Sequence, residues 1–289
     1  MSSGRGRERD GRLVLLRGRS AARTALPNQT PGRVWLVGAG PGDPELMTLK
    51  AARVLSTADV VVYDRLVGEG VLALIGGQAR RLYVGKRKSA HSVPQDEVNR
   101  LLVALALDGL EVVRLKGGDP FLFGRGGEEM LAAREAGLDC QVVPGVSAAL
   151  AASAAIGAPL THRGIAQGVT FVTGHAAADG EPDLDWAALA RPNQTVAVYM
   201  GLSTAGRIAA RLLAAGRSGA TPVAVVENVS RGDERRLLTT LSDLPAAVTG
   251  LAGPAILIIG ETAALADVAP RPMIRPATRA PASLTEAAQ

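Results

Sequence analysis

Ten short runs of β-branched and apolar residues punctuate this chain, and the helical patterns between them constrain its fold more than any other feature. The first five lie at 34–37, 60–63, 81–84, 111–115 and 141–143. Each is four or so residues long and bounded by Gly, Pro or charged residues, as short strands are. Between most of them the apolar period changes from strand to helix. Leu46, Leu49, Ala52 and Leu55 make one apolar face; Val98, Leu101, Leu102 and Leu105 make another, with a Ser92-x-x-Gln95 capping box before it and Gly109 after it. This βαβα order predicts α/β architecture with a largely parallel sheet.

After Pro144-Gly145 a helical stretch of small residues at 147–156 leads into a second series of strands at 169–173, 196–200, 223–227, 237–241 and 255–259. Five strands are enough for a sheet of their own. The polar stretch 177–194 reads as a surface loop. The expected organisation is therefore a disordered Arg-rich leader at 1–32, an N-terminal α/β domain at 33–144, a C-terminal α/β domain at 145–264 and a Pro/Ala-rich tail at 265–289. Small-molecule sites favour domain interfaces, so the cleft between the two is where a ligand is expected.

A formal net charge of +5 raises nucleic acid as a partner, so the position of the excess matters. Residues 1–23 hold seven arginines against Glu8 and Asp10, and 270–289 hold three against Glu286. What remains, 24–269, has 22 basic and 24 acidic side chains. A slightly acidic middle is no footprint for a polyanion, and binding through the basic tails is the weaker alternative. No run approaches the roughly 18 apolar residues of a membrane helix. Neither nucleic acid nor a membrane is an expected partner. Leu13 to Leu16 is too short for a signal-peptide core. Cys140 is the sole cysteine, which fits a reducing cytoplasm, and its apolar neighbours mark it as a strand residue rather than a nucleophile.

Two glycine clusters follow strands. Gly38-Ala39-Gly40-Pro41-Gly42-Asp43 superficially resembles a dinucleotide fingerprint, but Asp43 occupies the sixth position and Pro41 removes a backbone donor. An anionic side chain there tolerates a cationic ligand and repels phosphate. The second cluster runs from Lys116-Gly117-Gly118-Asp119-Pro120 through Phe121-Leu122-Phe123-Gly124-Arg125 to Glu128-Glu129. Packing alone does not demand that density of Gly, charge and aromatic residues. Its glycines allow a ligand close to the backbone, Asp119 can accept hydrogen bonds, and Arg125 with Glu128 brings opposite charges to one turn.

These two clusters, with Tyr63-Asp64-Arg65-Leu66, Val84-Gly85-Lys86-Arg87, Val143-Pro144-Gly145-Val146-Ser147-Ala148, Pro159-Leu160-Thr161-His162-Arg163, Val172-Thr173-Gly174-His175, Tyr199-Met200-Gly201-Leu202 and Val226-Glu227-Asn228, resemble the uroporphyrinogen III C-methyltransferases, a branch of the tetrapyrrole methylases. The resemblance covers about 33–264. It implies a homodimer of two-domain subunits that binds S-adenosyl-L-methionine in the interdomain cleft and methylates a tetrapyrrole twice to give precorrin-2, toward siroheme or cobalamin. A methylase for a later corrin intermediate or for ribosomal RNA ribose is the alternative within the superfamily. The implied cofactor contacts are Pro41, Gly117, Gly118, Asp119, Leu122, Ser147, Ala148, Met200, Val229 and Ala255. Position 147 is commonly Thr in the family and 229 a small residue; Ser keeps the hydroxyl, whereas Val229 can serve only through its backbone. Some relatives carry a dehydrogenase and chelatase domain, for which the 32 residues before Arg33 are too few, so methylation alone is expected.

Methyl transfer from a sulfonium to a pyrrole carbon needs alignment of two reactants and management of a proton, and no metal. Asp64 is the implied proton acceptor and Lys86 the implied donor; their plain alternatives are a turn cap or a pair with Arg65 for the first and a solvated surface charge for the second. An eight-carboxylate substrate calls for arginines, and Arg65, Arg125 and Arg163 are the candidates, with Met200 also facing the substrate. Equivalents of Arg125 and Glu128 are implied in substrate binding and in proton abstraction, which leaves the identity of the base open. His91, His162 and His175 match no metal-ligand spacing.

Overall fold

The structure, a computed structural model, describes residues 30–85, 93–175 and 182–269. In its first half β1 (Arg33–Gly38), β2 (Val60–Tyr63), β3 (Arg80–Tyr83), β4 (Val112–Lys116) and β5 (Asp139–Val143) alternate with α1 (Leu49–Ser56), α2 (Glu69–Leu72), α3 (Gln95–Leu107) and α4 (Gly126–Glu135). The strands form one sheet in the order β3-β2-β4-β1-β5, parallel throughout. All five residues of β4 are buried, as a central parallel strand covered on both faces must be.

Helices cover both faces. Val54 and Leu55 of α1 pack with Val37, Val61, Val113 and Leu115 on one side. Val98 and Leu102 of α3 and Ala133 of α4 pack with Leu36, Val62 and Val112 on the other. The crossover leaving β1 and the one leaving β4 therefore run in opposite directions over opposite faces. Adjacent strands with diverging crossovers open a crevice at their carboxyl ends, the switch point where open α/β sheets bind ligands. Both glycine clusters emerge there.

A second sheet follows α5 (Ala148–Ile156): β6 (Gly168–Thr173), α6 (Trp186–Leu189), β7 (Gln194–Tyr199), α7 (Ala205–Ala214), β8 (Pro222–Glu227), β9 (Arg235–Thr240), α8 (Leu244–Ala247) and β10 (Ala255–Ile259). Its order is β6-β7-β10-β8-β9, with only β6 and β7 parallel. One face packs on α7 through Ile208 and Leu212, the other on α5 through Ala149, Ala152 and Ile156.

All ten strands expected from the pattern form, and several finer expectations differ from what the structure shows. Leu49 is 92% exposed, and α1 packs Ala51, Val54 and Leu55 on the sheet instead, an i, i+3, i+4 face nearly opposite Leu49, the first residue after the Thr48 cap. Gln95 begins α3 behind Pro94, too early to close a capping box; its side chain goes to Asn99 and Glu129, and Ser92 lies outside the described residues. The stretch 177–194 contains α6, started by Asp185 accepting from the Ala188 amide. The expected boundary at 264 also falls inside a 3-10 turn, Glu261–Leu265, and the Asp267 amide donates to the Ile156 carbonyl at 2.7 Å. Among the described residues no helix is long and apolar enough to cross a membrane.

Candidate active site

The two glycine clusters are joined to each other and to the start of the second half of the chain. The Gly118 amide donates to the Gly40 carbonyl at 2.7 Å and the Ala39 amide to the Lys116 carbonyl at 2.8 Å. Asp119 uses both carboxylate oxygens on backbone: Oδ1 accepts from Phe121 N (2.9 Å) and Oδ2 from Gly145 N (3.0 Å). A Cβ on Gly38 would stand 2.5 Å from the Gly145 nitrogen, and one on Gly145 would collide with the Gly118 carbonyl. Three backbones meet here at a distance that excludes side chains, so glycine at these positions is a steric requirement.

From this knot α5 runs to the second sheet. The Ser147 hydroxyl and the Tyr199 hydroxyl hydrogen-bond each other, and the Ala149 amide donates to Tyr199 Oη at 3.1 Å. Burial pushes the Tyr199 phenol above its ordinary range. Its ring lies 5.0 Å from that of Phe123, which arrives from the second cluster. Met200 follows in the left-handed region (φ 54°) and is 48% exposed, a large apolar side chain in a strained backbone facing solvent. Strand pairing places Ile256 beside Tyr199 and Ala255 beside Glu227, so Met200, Val229 and Ala255 leave the same end of the sheet. Val229 buries its side chain in the cluster that holds Ala148, which leaves its backbone to present.

Gly118, Asp119, Ser147, Ala148, Met200, Val229 and Ala255 of the expected cofactor contacts are thus brought together at the seam between the sheets, while Pro41 and Leu122 lie in the turns of the two glycine clusters. A cavity of about 810 Å³ opens beside them and is lined by Tyr63, Asp64, Arg65, Tyr83, Gly42 and Arg231, among others. None of the ten expected cofactor residues lines it; it belongs to the side of the seam where Asp64 and Arg65 lie.

Asp64 is anchored twice. Its Oδ1 accepts from the Leu66 amide at 3.0 Å, and its Oδ2 pairs with Arg114 Nη2 at 2.8 Å, so its partner is Arg114 and not the adjacent Arg65. Arg114 in turn donates to Glu129 Oε1 (3.0 Å), which also accepts from Lys116 Nζ (3.1 Å) and Gln95 Nε2 (3.1 Å). Glu129 Oε2 makes no well-formed hydrogen bond, with Lys116 Nζ 3.0 Å away. Two cations and two carboxylates are therefore clustered under the site, nearly all buried. Burial opposes the Arg114 charge, but Glu129 and Asp64 outweigh it and its pKa lies above the ordinary value. Burial and then the neighbouring Arg114 hold Lys116 below its ordinary value, with Glu129 only partly offsetting them.

Arg125 and Glu128 form a closed fork, Nε to Oε1 at 2.8 Å and Nη2 to Oε2 at 2.7 Å, with side chains 57% and 50% exposed. Their hydrogen bond raises the Arg125 pKa and lowers that of Glu128. Arg163 sits in the exposed turn closed by the His162 and Ala166 backbones and lines neither described cavity. Lys86 and His91 lie outside the described residues. His162 and His175 bond backbone carbonyls, and among the described residues no three His, Cys, Asp or Glu side chains cluster as metal ligands. Half-buried Cys140 has its thiol pushed up to about 11 by burial.

Residues 33–245 match the family model described as Tetrapyrrole (Corrin/Porphyrin) Methylases. The chain belongs to the tetrapyrrole methylases. Among individual tetrapyrrole methylases, a uroporphyrinogen-III C-methyltransferase of Paracoccus denitrificans is 50% identical over 252 residues, 86% of this chain and 88% of that one. A siroheme synthase of Chromobacterium violaceum is 52% identical over 82% of this chain; this chain spans about half the length of that relative, 50%. The solved structure of a Thermus thermophilus uroporphyrin-III C-methyl transferase complexed with S-adenyl homocysteine superimposes with a TM-score of 0.71 at 45% identity, covering 81% of this chain and all of that one.

For a tetrapyrrole methylase site, the sequence pattern missed Arg114, Lys116 and Glu129 as a unit, and Tyr199 and Arg231 as wall residues. One signal was available: positions 114 and 116 share a face of a buried strand, and two cations on such a face need a buried anion.

Proposed function

We propose that this chain is an S-adenosyl-L-methionine-dependent C-methyltransferase that converts uroporphyrinogen III to precorrin-2 by two successive methylations. The observation that carries the reading is the convergence of Gly117–Asp119, Ala148, Met200, Val229 and Ala255 on one seam beside a cavity lined by Asp64 and Arg65. Left-handed Gly118, where a Cβ would meet only the Ala148 nitrogen at 3.8 Å, and the exposed Met200 fit a flat adenosyl ligand lying against backbone.

Bound there, S-adenosyl-L-methionine supplies an activated methyl group. The residues of the chain orient the two reactants and handle the proton that the pyrrole carbon releases when it gains the methyl. Asp64, held by Arg114 and the Leu66 amide, is the proton acceptor in this reading, since it lines the cavity with fixed geometry. Arg125, kept protonated by Glu128, serves substrate carboxylate and not proton abstraction. Lys86 is the proton donor by resemblance; β3 ends at Tyr83 beside Tyr63, so the chain enters that segment at the same sheet end as Asp64.

The division into two α/β domains near 144 follows the two sheets. Homodimeric assembly and a cytoplasmic location complete the reading, and light scattering on the purified chain tests the first. The decisive assay is incubation with S-adenosyl-L-methionine and anaerobically generated uroporphyrinogen III, followed by mass spectrometry. Sequential gain of two methyl groups is expected, and no methylation overturns the proposal.

A further inference from the structure

A second cavity, of about 500 Å³, adjoins the first and shares Arg65, Arg231 and Asp233 with it. The loop between β8 and β9 forms the common wall. Two of its non-glycine residues are left-handed, Asn228 (φ 52°) and Ser230 (φ 60°), a strain that persists only where the surroundings over-determine it. They do: the Asn228 amide donates to the Pro254 carbonyl (2.8 Å), its side chain to Asp233 (2.8 Å), and the Ser230 amide to Glu234 (2.6 Å).

The strained turn throws Arg231 across the seam. Its Nη2 donates to the Leu66 carbonyl at 2.7 Å, and its Cγ lies 2.9 Å from where a Cβ on Gly42 would stand. One donor of a five-donor guanidinium is thereby used on the first half of the chain, and the side chain still borders both cavities. Arg65 carries no hydrogen bond or ion pair among the described residues, and Arg235, 56% exposed, makes only 3.5 Å contacts with Glu227 and Gly250.

Two carboxylates share this cavity, but both are committed. Glu227 is buried and accepts from the Ala252 (2.8 Å) and Gly253 (2.6 Å) amides, and Asp233 accepts from Asn228. In the smaller cavity three guanidinium groups with spare donors thus face two engaged acids, whereas in the larger one Arg65 and Arg231 share the wall with Asp43, Glu45, Asp64 and Glu69, so the smaller cavity is the cationic end of the pair. Planar forks of this kind match carboxylate.

We infer that Arg231, with Arg65 and Arg235, forms a carboxylate subsite that grips an acidic substituent of the macrocycle while the ring lies over Asp64. The subsite deepens the methylase reading above and rests on it for the identity of the ligand. With the Ser230 carbonyl, Arg231 is also where the second sheet's loop touches the substrate side of the first, against Gly42 and Leu66.

The test uses the full chain as wild type, Arg231→Ala and Arg231→Lys. Uroporphyrin III, the oxidised and stable eight-carboxylate macrocycle, is titrated by fluorescence, S-adenosylhomocysteine by calorimetry, and KM and kcat are measured for methylation. Loss of a charged hydrogen-bonding partner should weaken uroporphyrin binding and raise KM by roughly 10- to 100-fold in Arg231→Ala, with S-adenosylhomocysteine affinity and kcat close to wild type. Arg231→Lys should recover part of the loss, since it restores charge without the fork. Unchanged uroporphyrin affinity in Arg231→Ala overturns the subsite. So does an equal loss of S-adenosylhomocysteine affinity, which marks Arg231 as a strap between the lobes only. If wild type fails to methylate while Arg231→Ala still weakens uroporphyrin binding, the reaction proposed above falls and the subsite stands.

Discussion

Within sixteen residues of one segment, two sets of ion pairs live in opposite surroundings. Arg114, Lys116 and Glu129 are buried and tied to Asp64, whereas Arg125 and Glu128 pair in the open. The chemistry of the pairs is the same; the dielectric is not. A buried charge left without its partner is costly, and breaking one such pair typically costs about 3–5 kcal/mol. An exposed pair contributes about 1 kcal/mol or less and falls with salt. The inner set therefore fixes where the β2 and β4 loops stand, and Asp64 with them. The outer pair can open and exchange Glu128 for a carboxylate on a ligand at little cost.

The sharpest way to break this comparison is Glu129→Leu, which leaves buried Lys116 without its carboxylate and Arg114 with Asp64 alone. Stability in urea should fall by about 3 kcal/mol or more, and a loss under about 1 kcal/mol would mean the cluster is not a unit. Pairing that change with Arg114→Met should restore part of the loss, so a double-mutant cycle should give a coupling of roughly 1–3 kcal/mol. Restored stability should not restore turnover, because Asp64 then keeps only the Leu66 amide and has lost its pairing with Arg114.

Arg125→Ala tests the outer pair. Its effect should fall on kcat/KM for the macrocycle, which drops by roughly 10- to 100-fold, while the midpoint of unfolding and S-adenosylhomocysteine affinity change little. Loss of cofactor affinity would place Arg125 on the wrong side of the seam. The smallest expected effect is that of Glu128→Gln on the pH dependence of stability. Arg125 holds the Glu128 carboxyl below its ordinary value of 4.5, so the pair's contribution is complete above that pH and is lost as pH falls through the lowered folded value. The variant should therefore match wild type at low pH and lie slightly below it at neutral pH, and equal curves throughout would show the pair to be energetically silent.

The local pairings of the site were legible before any coordinates, and the long-range ones were not. The glycines of the second cluster read as room for a ligand, and the structure instead uses Gly118, with Gly38 and Gly145, where three stretches of backbone meet. Arg125 and Glu128 are three apart at a helix start, where local geometry alone brings them together. Leu49 shows the limit: its spacing suits the apolar face of a helix, but the sheet takes the face of Ala51, Val54 and Leu55, which turns Leu49 outward. Gln95 shows it again, since a capping-box spacing was overruled by where Pro94 starts the helix.

By itself the sequence determined the alternation of strands and helices, the ten strands, and the glycine-rich turns that follow β1 and β4, because those depend on residues close in the chain. Only the tertiary structure decided that Arg114 reaches Asp64 fifty residues away, that Tyr199 closes on Ser147, and that Arg231 crosses to Leu66. Each is a pairing of polar groups that burial or a shared cavity forces to find partners, and which partner is available depends on strand order and on how the two sheets meet. Periodicity along the chain carries no information about either.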